Sequence, residues 1–119
     1  METNAIKDQS FAFALRIVRL YRFLCEQRKE FVISKQLLRS GTAVGALVRK
    51  AEQAESKADF VHKMAIALKE ANETEYWLEL LHQSNYLEDN SYLSIAADTK
   101  GLLKLLTSII KTAKQNTKK

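Results

Sequence analysis

The chain of 119 residues contains no proline, three glycines and one cysteine. Without proline, and with so little glycine, it lacks the turn residues that hairpins, sandwiches and barrels need at every strand reversal. An all-helical fold is what remains. Cys25 on its own closes no intramolecular disulfide and builds no thiolate metal cluster, so neither secretion into an oxidising compartment nor a zinc fold is indicated. No stretch reaches the roughly 20 apolar residues of a membrane span, and residues 1–10 lack the basic-then-apolar order of a signal peptide. A cytoplasmic chain that makes no membrane contact is expected. Also missing are a phosphate-cradling glycine loop, a dinucleotide fingerprint and a Ser-His-Asp arrangement.

What the sequence does have is a globular composition, 46% hydrophobic and 28% charged, at the length of one domain. Its net charge of +5 hides a segregation of sign. Residues 7–50 carry ten bases and three acids, residues 51–98 three bases and ten acids, and residues 99–119 six lysines and no acid. Either the opposite blocks pair within or between subunits, or the basic blocks face an anionic partner such as RNA or DNA.

Apolar spacing predicts four helices, at about residues 8–28, 34–54, 57–84 and 89–114, joined by short polar turns. Lengths of that order predict an antiparallel up-down-up-down four-helix bundle. On the first helix Phe11, Phe13, Ile17, Val18, Leu20, Tyr21, Leu24 and Cys25 fill one half of the circle, and Arg16, Arg19, Arg22 and Glu26 the other. Leu15 and Phe23 fall outside the apolar half, which points to burial against more than one neighbour. Ser34 is the expected N-cap of the second helix. Within that helix Gly41 and Gly45 stand four apart, and since each costs about 1 kcal/mol relative to Ala, their spacing implies close approach of another helix. Ser56 and Asp59 have capping-box spacing and open the third helix. The last residues, 115–119, are expected to fray.

The candidate chemistry is sparse. Glu79 and His82 have the Glu-x-x-His spacing of helix-bundle di-iron sites, loosely echoed by Asp59 and His62. The two pairs lie on one helix about 30 Å apart, so they cannot share a metal. His82 reads as a hydrogen-bonded packing residue, His62 as solvated and Cys25 as an inert packed thiol. Glu75 and Glu79, one turn apart, have no evident cleft between them for hydrolysis. Glu70, Glu73, Glu75 and Glu79 read instead as an acidic surface that can claim arginines of the first two helices. No catalytic residue, metal or cofactor is therefore expected. Functional content resides in the basic helices. Lys100, Lys104, Lys111, Lys114 and Lys118 form a ridge opposite the leucines of the fourth helix, and Arg16, Arg19 and Arg22 form another on the first. Such ridges bind RNA or DNA through phosphates, with strong salt dependence and little sequence choice. Arg39, Arg49 and Lys50 are further candidates, subject to the acidic third helix.

Three blocks carry a family resemblance: residues 13–21 (FALRIVRLY), 33–46 (ISKQLLRSGTAVGA) and 59–78 (DFVHKMAIALKEANETEYWL). Together they resemble the bacterial four-helix-bundle proteins encoded by intervening sequences of 23S ribosomal RNA genes, over nearly all of residues 6–112. The resemblance implies an antiparallel bundle that assembles into a ring-like homopentamer, in a family with no known catalytic activity. Related accessory variability proteins of diversity-generating retroelements imply nucleic acid and a protein, a reverse transcriptase, as partners. Where relatives have Ala-Asn-Ile-x-Glu-Ala, this chain has Leu47 for the Asn and Lys50 for the Glu, making its second helix more basic.

Overall fold

In a computed structural model that describes residues 2–117, the apolar periodicities condense into four helices: α1 (Glu2–Arg28), α2 (Ile33–Glu52), α3 (Lys57–Gln83) and α4 (Asp89–Thr117). Helix α1 starts six residues earlier than its periodicity suggests. Ile6 explains why, because it is fully buried and docks the first turns on the core. Helix α4 runs through Gln115 to Thr117, where fraying was expected, while Lys118 and Lys119 lie outside the described residues.

Each helix packs on its neighbours in sequence, and α4 returns to close the ring on α1; among the described residues the backbones of diagonal helices do not approach closely. Short turns make adjacent helices antiparallel and give a rod with extents of 52 × 21 × 19 Å. Its axis is filled by Ile17, Leu37, Val44, Met64, Leu78 and Leu106, all essentially inaccessible to water. The four seams are unequal: the backbones of α2 and α3 run close together over the longest stretch, and those of α1 and α4 over the shortest.

The glycine pair sets the α1/α2 spacing. A Cβ on Gly41 would stand 2.8 Å from side-chain carbons of Ile17, and one on Gly45 would stand 3.4 Å from the carbonyl oxygen of Ser10. The helix whose close approach the spacing demands is thus α1 of the same chain. At the α2/α3 seam a fully buried hydroxyl pair, Ser40 and Thr74, meets at 2.9 Å. Thr74 also reaches the Glu70 carbonyl at 2.8 Å, so the pair is satisfied in the core.

The cap of α2 differs from the expectation. Ser34 lies inside the first turn, and its amide donates to Glu30 Oε1 at 2.6 Å. The amides of Ile33 and Val32 donate to Glu30 Oε2 at 2.9 and 3.1 Å. One buried carboxylate therefore satisfies three amides at the helix start, where the dipole also favours negative charge. Burial works to raise the Glu30 pKa, but these donors from Ile33, Ser34 and Val32 bring it below its ordinary 4.5. Lys29, at φ 56°, makes the sharp exit from α1 that delivers Glu30 to this position. Ser56 caps α3 as its spacing predicts, its Oγ accepting from the Asp59 amide at 3.0 Å. Helix α3 ends in a Schellman turn: Asn85 sits at φ 69°, and the Tyr86 amide donates to the Leu81 carbonyl at 2.9 Å.

Candidate nucleic-acid interface

Helix α4 buries Ile95, Leu102, Leu106 and Ile109. At 100° per residue this fixes Lys100, Lys104 and Lys111 on the opposite, solvent-facing side, within about 40° of one another. All three are exposed, as is Lys114 a turn further on, and none has a carboxylate partner among the described residues. Lys118, which would extend the ridge, lies outside the described residues. On α1, Arg19 and Arg22 are likewise exposed and have no ion pair among the described residues.

Arg16 is placed differently from its two companions. Its guanidinium lies half-buried in the α1/α4 seam, donating to Asp98 Oδ2 at 2.6 Å and to Ser94 Oγ at 3.0 Å. It holds two helices together as well as carrying charge. Arg39 is fully committed: it pairs with Glu70 at 3.2 Å and with Glu73, which also accepts from Trp77 Nε1 at 2.9 Å. The Trp77 and Arg39 donors hold Glu73 below the usual carboxylate range. The acidic third helix therefore claims Arg39. It does not claim Arg49, whose guanidinium lies 5.2 Å above the ring of Phe11, nor Lys50, which is exposed. Phe11 itself, counted on the apolar half of α1, is half exposed at the α1/α2 edge.

The remaining candidates have structural partners or open surroundings. His82 stacks flat on Tyr92 at 4.1 Å, and its Nε2 meets Asp89 Oδ1 at 2.7 Å, tying the end of α3 to the start of α4. His62 and Glu79 are exposed, and Glu75 is half-buried. Cys25 is half-buried with its Sγ 3.8 Å from Ser34 Oγ. Among the described residues, no three His, Cys, Asp or Glu side chains converge on one point, and no helix is long and apolar enough to cross a membrane.

Two features escape a reading of periodicity alone. A groove of about 760 Å³ runs along the α1/α4 seam, lined by Arg16, Arg19, Phe23, Arg28, Tyr86 and Ser94 among others. Arg28, at the end of α1, donates to the carbonyls of Tyr86 and Asn85 at 2.9 and 2.8 Å and so binds α1 to the Schellman turn. Both contacts join residues more than fifty positions apart, which no local signal announces.

An all-α up-down bundle with a lysine-lined outer helix face defines the class of this protein. The sequence places it more narrowly: the model of the 23S rRNA-intervening sequence protein family matches residues 2–108, and the chain belongs to that family. A crystal structure of a protein with unknown function from the S23 ribosomal protein family of Bacteroides thetaiotaomicron VPI-5482 is similar throughout. It has 59% identity and a TM-score of 0.92, covering 93% of this chain and 99% of that one. A comparison with curated proteins finds no match.

Proposed function

We propose that this protein is a non-enzymatic, homo-oligomeric bundle that binds RNA or other nucleic acid through the phosphates, using its basic helix faces. The observation that carries this reading is the set Lys100, Lys104, Lys111, Arg19 and Arg22, all exposed and none paired with a carboxylate among the described residues. A cation with no partner in its own chain retains its full Coulomb attraction for a polyanion, and each phosphate it neutralises releases condensed counterions. Arg16 contributes less, since Asp98 already offsets its charge. The homopentamer of the family resemblance fits the exposed apolar pair Phe11 and Leu15 on the outer side of α1, which a second copy would cover.

Binding to a labelled generic RNA should weaken markedly between about 50 and 200 mM salt. Reversal of Lys100, Lys104 and Lys111 to Glu should abolish it while sedimentation shows the oligomer unchanged. The same exposed apolar pair favours a second reading, a protein-interaction scaffold or accessory factor in which basic and acidic blocks pair between subunits. In that case the triple reversal dissociates the oligomer. Salt-independent RNA binding, or none, overturns the first reading.

A further inference from the structure

We propose that the α1/α4 groove seats unpaired bases, so that this protein prefers single-stranded nucleic acid to duplex; the inference rests on the nucleic-acid reading above and sharpens it. Three guanidinia line this groove. Arg16 is offset by Asp98, and Glu88 supplies one negative charge at the turn end, where it meets Ser91 at 3.5 Å. Arg19 and Arg28 have no carboxylate partner among the described residues. Arg28 is also held in place, by two carbonyl acceptors and by the Tyr86 ring 5.3 Å below its guanidinium carbon. Carbonyls orient a guanidinium without neutralising it, and its five N–H donors exceed the two they use. A fixed fork of this kind, held by carbonyls and not by an ion pair, suits a phosphodiester oxygen.

Phe23 supplies the second half of the argument. Its ring belongs to the same groove wall, one turn from Arg19 and five residues from Arg28, and is 43% exposed. Folding leaves this ring incompletely covered in the midst of cations. The flat face of a base would cover it, and stacking of this kind is indifferent to base identity. Arg16 to Arg28 spans about 18 Å of helix, the length of about five nucleotides at a stacked rise of 3.4 Å. In a duplex the bases are already stacked inside and cannot reach Phe23. The α4 lysines see only phosphates, which both forms present. Strand preference is therefore assigned to the groove and bulk affinity to the ridge.

The test is fluorescence anisotropy with a labelled oligoadenylate of about twelve nucleotides. It is offered as RNA, as DNA, as duplex, and as an abasic strand of the same length. Wild type should bind the base-bearing single strands about ten-fold more tightly than the duplex or abasic strand, with the RNA and DNA arms telling which sugar is preferred. Phe23→Ala should remove about that ten-fold and leave abasic binding unchanged, and Phe23→Trp should restore it. Because Phe23 is only partly packed, circular dichroism of each variant checks that the fold is retained. Equal affinity for base-bearing and abasic strands, or an unaltered Phe23→Ala, overturns the groove assignment while the lysine ridge stands. Absence of binding to every strand removes both.

Discussion

The α1/α2/α3 side of the bundle and the α1/α4 seam are built from the same kinds of residue to opposite ends. On the first side, Gly41 and Gly45 draw α1 onto α2, Ser40 and Thr74 meet in the buried core, and Glu30 locks the turn. At the seam, α1 meets α4 through the solvent-accessible Arg16–Asp98 pair, and a groove lies open between them. Even the glycines differ: a Cβ on Gly101 of α4 would have nothing within 4 Å. Stability is concentrated where the helices touch closely, and free charge where they do not.

That contrast can be broken most forcefully at Gly41. Gly41→Val drives branched carbons into Ile17 and should cost about 2 to 3 kcal/mol in urea unfolding. Glu30→Ala should cost about 1 to 2 kcal/mol at pH 7 by orphaning three helix-start amides. Since the folded-state pKa of Glu30 lies below its unfolded value of about 4.5, its contribution is complete above that pH. It is lost as pH falls through the lowered folded value. The stability difference between wild type and Glu30→Ala should therefore be constant from about pH 6 upward and shrink in acid. At the open seam the sign reverses. Gly101→Ala adds helix propensity and meets no neighbour, so it should raise stability by about 0.5 to 1 kcal/mol. Smallest of all, Asp98→Asn should change stability by under about 1 kcal/mol, because the pair it breaks is half-exposed. It should nonetheless tighten RNA binding at low salt by releasing Arg16.

How much of this was legible in the sequence depends on the range of the contact. Local signals served well for the Ser56 cap and the glycine pair, whereas Leu15 and Phe23, read from the helical wheel as buried against more than one neighbour, are exposed in the bundle. Charge blocks anticipated that Glu70 and Glu73 would take an arginine, and Arg39 is the one they take. Two further departures are contacts whose partner is set by the fold or by an unusual turn. Ser34 has the composition of a cap, yet Lys29 in the left-handed region swings Glu30 into that role. Arg16 shares a polar face with Arg19 and Arg22, but only the return of α4, 82 positions later, brings Asp98 to it. Of the candidate interface, the lysine ridge follows from periodicity alone. The groove does not, because it exists only where the later half of α1 runs beside the first turns of α4.

A rod 52 Å long spans about five screening lengths at 0.1 M salt. Charges near one tip are electrically silent at the other, so a polyanion approaching Lys111 does not sense the carboxylates around Asp89. The overall +5 thus describes no place on the surface. The molecule presents separate stations along its length, each with a sign of its own, and a flexible ligand lying along it would meet them in sequence.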